Sequence, residues 1–165
     1  QVGFVGRHFG LTKVRGRFTG VSGEVVIKDN IGDSTVTVDI DVSSVSSGDQ
    51  TRDDHLRSED LFDVTKHPSA TFVSTELSTD GATATLIGDL TIKGITKSVT
   101  LDVEYLGHAK DPWDNDRAIF SAAGIINRED WGLIWNMVLE AGGLLVSREI
   151  RLEIEVELIL QKDDQ

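Results

Sequence analysis

"IRLEIEVELIL", residues 150–160, decides the fold. Ile150, Leu152, Ile154, Val156, Leu158 and Leu160 fall on one side of an extended strand. Arg151, Glu153, Glu155 and Glu157 fall on the other, and only Ile159 breaks the pattern. Side chains of a strand alternate between its two faces, so this stretch belongs to a sheet with a water side and an oil side. The oil side covers either a solid core or a space for something else.

The same alternation recurs along the chain. Val36, Val38, Ile40 and Val42 alternate with Thr35, Thr37, Asp39 and Asp41. Leu86, Leu90 and Ile92 alternate with Thr85, Asp89, Thr91 and Lys93, with Ile87 on the polar side. After "KGIT" (93–96), a turn, Val99, Leu101, Val103 and Tyr105 alternate with Thr100, Asp102 and Glu104. Shorter candidates run over 2–9, over 14–27 with a bend at Gly20 or Gly23, over 70–75 and over 117–126. With the last strand this makes about eight. "STDG" (78–81), "KDNIGD" (28–33) and "KDPWDND" (110–116) read as turns. Two stretches break the rhythm. The first, "SSGDQTRDDHLRSEDLFDVTKHP" (46–68), offers caps, an acidic first turn and a closing proline, and so one or two short helices. The second, "NREDWGLIWNMVLEAGGLLVS" (127–147), is crowded with large apolar groups and lacks alternation.

One-faced antiparallel strands with so little helix must curl into a barrel or stack as a sandwich. A barrel of about eight strands is the size that is either filled by side chains or holds one small ligand. Val, Ile, Leu and Ala dominate the inward positions, and Gly88 and Gly124 fall within strand patterns. That composition lines a cavity without plugging it, but it equally suits a packed sandwich, and periodicity alone does not choose.

The 165 residues favour a single domain over 1–165, and 39% hydrophobic with 27% charged residues is an ordinary globular balance. The net charge of −12 argues against nucleic acid and anionic lipid surfaces as partners. With no cysteine there are no disulfides, thiolate zinc sites or cysteine nucleophiles. No apolar run approaches the roughly 20 residues of a membrane-spanning helix. A signal peptide is not evident and the chain opens at Gln1, so the expectation leans towards the cytoplasm, with a processed exported form as the alternative.

Four segments, in this order and spacing, resemble the YceI-like family of lipid-binding proteins: "VGFVGRHFGLTKVRGRFTGVSG" (2–23), "DVSSVSSGDQTRDDHLRSEDLFDVTKHPSATFVST" (41–75), "GDLTIKGITKSVTLDVEYLG" (88–107) and "NREDWGL" (127–133). The resemblance implies an all-β, lipocalin-like antiparallel barrel whose tunnel accepts a polyisoprenoid or similar amphiphilic chain, usually in a homodimer. It also implies a short helical element, here "TRDDHLRSEDLFD" (51–63), at the barrel mouth. The chain departs from the pattern in beginning just inside the expected first strand. It also places Trp131 where family members often carry Phe, followed by Trp135 and Met137.

For such a tunnel the candidate lining residues in the first half of the chain are Phe4, Phe18, Val38, Ile40, Leu56, Phe62 and Phe72. In the second half they are Leu90, Ile92, Leu101, Val103, Phe120, Ile154, Val156 and Leu158, with Trp131, Leu133, Trp135 and Met137 at the portal. Nine residues of "WGLIWNMVL" (131–139) cannot all face inward, so part of that segment must meet a ligand, a partner subunit or water. Gly132 and "AGG" (141–143) supply hinge positions there. Arg7, His8, Arg57 and Arg128 are candidates to hold a polar head group, each weighed against a structural ion pair with one of the 28 acids.

Catalytic and metal readings are weaker. Asp53, Asp54, His55, Glu59 and Asp60 are grouped in sequence, but one local histidine is too few for zinc, and a capped helix start accounts for the acids. There is no G-x-S-x-G elbow, and the glycines of "GRHFG" and "GEVVIKDNIGD" lack phosphate-loop spacing. The expectation is a non-enzymatic carrier without catalytic residues, metal or other cofactor. Its rivals are a hydrolase-like enzyme using His55 with its carboxylates, and a solid-cored dimer protein.

Overall fold

In the computed structural model "IRLEIEVELIL" alternates as a strand as far as Ile159, while Leu160, expected on the oil side, lies beyond the strand and is exposed. From Ile150 to Leu158 every inward-facing residue is half-buried, and none is fully buried. The outward Glu149, Arg151, Glu153, Glu155, Glu157 and Ile159 are exposed. The structure describes residues 1–137, 139 and 145–161, so the expectations placed on Val138 and on 141–143 lie outside the described residues.

The elements in chain order are β1 (Val2–His8), β2 (Thr12–Phe18), β3 (Val21–Val26), β4 (Thr35–Asp41), β5 (Val45–Ser46) and α1 (Gln50–Arg57). Then come β6 (Ser69–Asp80), β7 (Thr83–Ile92), β8 (Ile95–Lys110), β9 (Asp116–Asn127) and β10 (Glu149–Ile159). Short 3-10 turns occupy Ile31–Asp33, Val42–Ser44 and Arg128–Trp131. All ten strands form one antiparallel sheet in the order β3-β4-β6-β7-β8-β9-β10-β1-β2-β5. Ten replaces the expected eight for two reasons: the segment 14–27 divides in two, and the two-residue β5 adds an edge.

The division of 14–27 is what curls the sheet. β2 pairs with β1, and β3, its direct continuation, pairs with β4 at the opposite end of the strand order. One strand bent at Thr19–Gly20 thus joins the two ends, giving an incompletely closed barrel with β3 and β5 as edges. The bend is pinned from the Val42–Ser44 turn: Asp41 N donates to Gly20 O at 2.7 Å and Gly20 N donates to Ser44 Oγ at 2.9 Å.

Packing is uneven around the barrel. Ile40, Val42, Val45, Phe72, Leu90, Ile92 and Leu101 are buried with Trp131 and Leu133, forming a dense core against β4, β6, β7 and β8. The inner faces of β9 and β10 stay only half-covered. Two glycines set how far the rings project. Gly16 is the register partner of Phe4, and a Cβ there would fall inside the Phe4 ring. Gly88 receives the Phe72 ring in the same way. Each ring lies flat on the wall, in space another residue's side chain would take, and the interior beyond stays open.

The turns follow the expected chemistry. Lys93 and Gly94 both have positive φ, 52° and 74°, which is the two-residue hairpin turn expected of "KGIT". The β1–β2 tip has the same form, with Phe9 at 56° and Gly10 at 70° and Leu11 N donating to His8 O at 3.0 Å. In "KDPWDND" the Asp111 carboxylate accepts from the backbone amides of Asn115 and Trp113, from Asn115 Nδ2 and from Arg117 Nε. The Asn115 amide foremost holds its pKa well below the ordinary carboxylate value, against the opposing effect of desolvation. Two acids at the start of α1 are structural: Asp49 caps the helix by accepting from Arg52 N, and Asp53, within it, accepts from Ser47 N.

The glycine-backed rings generate a test. Gly16→Ala should force the Phe4 ring off the wall and cost about 1–3 kcal/mol in urea unfolding, as overpacking does. Gly16→Ala combined with Phe4→Leu should recover most of that loss. A single variant as stable as the wild type would mean that the ring does not depend on the glycine.

Candidate ligand cavity

Inside the curled sheet lies a cavity of about 1140 Å³, somewhat larger than ordinary small-molecule pockets. Its wall is overwhelmingly aliphatic and aromatic because alternation turns one face of every long strand towards it. β1 and β2 contribute Phe4 and Phe18, β4 Val38 and Ile40, and β6 and β7 Phe72, Leu90 and Ile92. β8 and β9 add Leu101, Val103 and Phe120, and β10 adds Ile154, Val156 and Leu158. Leu56 of α1 and Phe62 after it close one end together with Leu133 and Trp135.

Sequence reasoning left other lining residues out of the site. Ile150 and Leu152 stand on the same face of β10 as Ile154, and the alternation that singles out one singles out all three. Val2, Leu86, Val99, Ala122 and Ile126 line the wall by the same rule on their own strands. Leu145 and Val146, in the irregular segment before β10, carried no comparable signal.

Two portal candidates do not line the cavity. Trp131 is 2% exposed, and its indole Nε1 donates to Leu90 O at 2.9 Å, so it anchors the core behind the wall. Met137 is 56% exposed and faces outward. The surplus of apolar groups in "WGLIWNMVL" is therefore shared: Trp131 and Leu133 are buried, Trp135 faces the cavity, and Ile134 and Met137 face water. The segment lacks alternation, as its sequence suggests, because Arg128–Trp131 is a 3-10 turn and the described chain beyond it is irregular.

The basic groups of the lining, Arg7, His8, Arg52, His55 and Arg128, lie at the α1 end, while Gln1, Glu24, Thr79, Thr83 and Glu157 reach the lining elsewhere. The ring of Trp135 meets His55 edge-on, with centroids 4.4 Å apart, so α1 and the segment after Trp131 touch over this end of the cavity. His55 Nε2 also lies 3.0 Å from Asp60 Oδ2. Arg7 Nη1 donates to Leu11 O at 3.3 Å. Arg57 does not reach the cavity. Its guanidinium donates to Ser43 O at 2.9 Å and Val45 O at 2.8 Å and pairs with Asp54 at 3.3 Å, tying α1 to β5. Among the described residues no three His, Asp or Glu side chains are grouped closely enough to share a cation.

Arg128 is the organiser of the irregular segment. It is 4% exposed, and burial pushes its pKa down. Its guanidinium donates to four carbonyls: Ser147 at 2.8 Å, Trp135 at 3.1 Å, Val146 at 3.4 Å, and Leu133. Asn136 completes the frame, donating from Nδ2 to Val146 O at 2.8 Å and accepting from Val146 N at 3.0 Å. A planar fork with five donors suits this task, and an ammonium group does not. With its donors so committed, Arg128 is a clamp on the wall rather than a free cation facing the lumen.

Removing the clamp leaves buried carbonyls unsatisfied, at about 1–3 kcal/mol for each group that water does not reach. Arg128→Met should therefore lower stability by about 3 kcal/mol in urea unfolding, and Arg128→Lys should restore only part of it. Unchanged midpoints in both variants would mean that the segment holds its shape without the fork.

Comparison with known proteins places this architecture. The model of the YceI-like domain matches residues 1–158. A UPF0312 protein of Pectobacterium carotovorum is 39% identical over 157 residues, which span 94% of this chain and 79% of that protein. The crystal structure of Burkholderia cenocepacia BcnA superposes with a TM-score of 0.82 at 23% identity, covering 95% of this chain and 94% of that one. A polyisoprenoid-binding domain from Saccharophagus degradans superposes at 0.65 with 19% identity, covering 94% and 91%. At such identities these two likenesses speak for the fold alone.

Proposed function

The chain belongs to the YceI-like family, and on that premise we propose that it binds a long apolar isoprenoid or similar amphiphilic lipid, to carry or to sequester it. The observation that carries the proposal is a cavity of about 1140 Å³ with a predominantly apolar wall, whose basic side chains all lie near α1. An amphiphile has the same division. A domain of the same fold is named for polyisoprenoid binding, and the ligand class proposed here is the same. In this reading the candidate residues on the wall, from Phe4 and Phe18 to Val156 and Leu158, hold the chain. His8, on the inner face of β1 at the α1 end, meets the head group, and Arg7 alternates to the outer face.

Burial alone supplies the affinity. Each buried methylene contributes about 0.8 kcal/mol, so a chain of about ten carbons offsets the cost of ordering it. No bond is made or broken, and the protein acts as a binding protein rather than an enzyme. The proposal includes the homodimer that the family resemblance implies; light scattering would then give twice 18.0 kDa.

Native mass spectrometry followed by solvent extraction tests the reading. The protein as purified should carry an extractable lipid, and delipidated protein should take up an added long-chain prenol intact. Tryptophan emission should shift on uptake, and the shift should vanish in Trp135→Phe while surviving in Trp113→Phe, since Trp135 lines the cavity and Trp113 is exposed. A chemically altered prenol would replace the carrier by an enzyme using the His55–Asp60 pair. Failure to take up any long-chain lipid would overturn the proposal.

A further inference from the structure

Charge is distributed very unevenly along this chain. Residues 1–23 contain Arg7, Lys13, Arg15 and Arg17 and no carboxylate, whereas the remaining 12 Lys and Arg face all 28 acids. The pairing of β1 with β2 sets Arg7 opposite Lys13, Val5 opposite Arg15 and Gly3 opposite Arg17. Register partners share a face, so the four cations stand together on the outer side of one hairpin. Arg15 is neutralised by Glu153 at 2.9 Å. Among the described residues Arg7 and Lys13 have no carboxylate partner, and like charges directly opposite each other repel.

The tip of the same hairpin is apolar. Phe9 is 59% exposed and Leu11 80% exposed. Phe9 holds a left-handed conformation in which its side chain faces water, at a position where Asn or Gly is the ordinary choice. Exposed Met137 belongs to the same corner: Phe9 N donates to Leu145 O at 3.0 Å, and Leu145 N donates to Met137 O at 2.9 Å. The cavity lies directly behind, since Gly6, His8, Leu145 and Val146 all line it.

We propose that the β1–β2 tip, with Met137 beside it, docks this end of the cavity on an anionic lipid surface. Phe9 and Leu11 enter the apolar layer, and Arg7 and Lys13 meet the phosphates behind it. The inference rests on the carrier reading in one respect: a ligand that is insoluble in water resides in bilayers, so the cavity must meet a bilayer to exchange it. The whole-chain charge of −12 argued against such a surface, but its distribution removes the objection at this corner. Beyond roughly 8 Å charges are screened at physiological salt, so the tip meets a surface on its own charge.

Vesicle flotation tests the docking, with the full chain and phosphatidylcholine vesicles prepared with and without phosphatidylglycerol. The wild type should float with the phosphatidylglycerol vesicles only, and raised salt should weaken it. Phe9→Ser with Leu11→Ser, and separately Lys13→Glu, should each weaken binding by about tenfold or more. Both should take up a prenol from detergent micelles as the wild type does, because none of the three residues lines the cavity. Absent flotation, equal flotation with both vesicle types, or tip variants that bind unchanged would each overturn the proposal. So would a dimer that the tip variants convert to monomers, which would assign the patch to a second copy. Vesicle binding that is intact in a protein unable to take up prenol would instead support docking and overturn the carrier reading.

Discussion

Everything in this fold follows from strands that are apolar on one face and have almost no helix to cover them. Among the described residues the only α-helix is Gln50–Arg57, eight residues long, and it packs beside β5 at one end. A sheet of ten strands cannot bury its inner face on so little, so it has to bury that face on itself. The bend at Thr19–Gly20 allows this by sending one strand to both ends of the sheet. Curling brings β9, β10 and β1 round to oppose β4, β6 and β7, but not close enough for their side chains to interlock. A dense core forms on one flank, around Trp131, Val42 and Val45, and the opposite flank faces an open interior.

That interior survives because of what occupies the wall. Aliphatic side chains are short, and the two rings backed by Gly16 and Gly88 lie against the sheet rather than across the lumen. The α1 end is shaped differently, by polar groups that satisfy one another. Arg128 gathers the carbonyls of the irregular segment, Arg57 ties the helix to β5, and the contact between His55 and Trp135 bridges the two. The rigid wall therefore ends in a rim of short segments held by side-chain to main-chain hydrogen bonds. Such segments are the ones expected to open at low cost in free energy.

Most of this architecture is legible in the sequence because a two-residue period reports directly on the two faces of a strand. β10, β4 and β7 are read almost to the residue, and the bend in 14–27 is narrowed to Gly20 or Gly23, of which the fold uses Gly20. The period also names the wall, since Val38, Leu101 and Val156 are cavity residues for one and the same reason. What it does not report is distance across the barrel, so a packed sandwich and a hollow barrel share one pattern until the curl is known. It fails wherever the backbone is irregular. Trp131, Leu133, Trp135 and Met137 are spaced as one face of a strand, yet they go to the core, the core and cavity wall, the cavity and the solvent respectively. Arg57 and Arg128 look like free cations in sequence, and their partners are main-chain carbonyls, which sequence does not display. Net charge conceals its own distribution, so the acid-free β1–β2 hairpin disappears in a total of −12.

The central claim is that the oil side of "IRLEIEVELIL" faces a space for a ligand, and Val156 on that face measures it most directly. In a packed core, adding the volume of a phenyl ring costs about 1–3 kcal/mol or more. In an open cavity the ring occupies the room a ligand would take. The thermal midpoint of delipidated Val156→Phe is therefore expected to stay close to that of the delipidated wild type, while its uptake of a long-chain prenol is largely lost. A strongly lowered midpoint would show that the strand covers packed side chains, and an unchanged midpoint with unchanged uptake would place the ligand elsewhere.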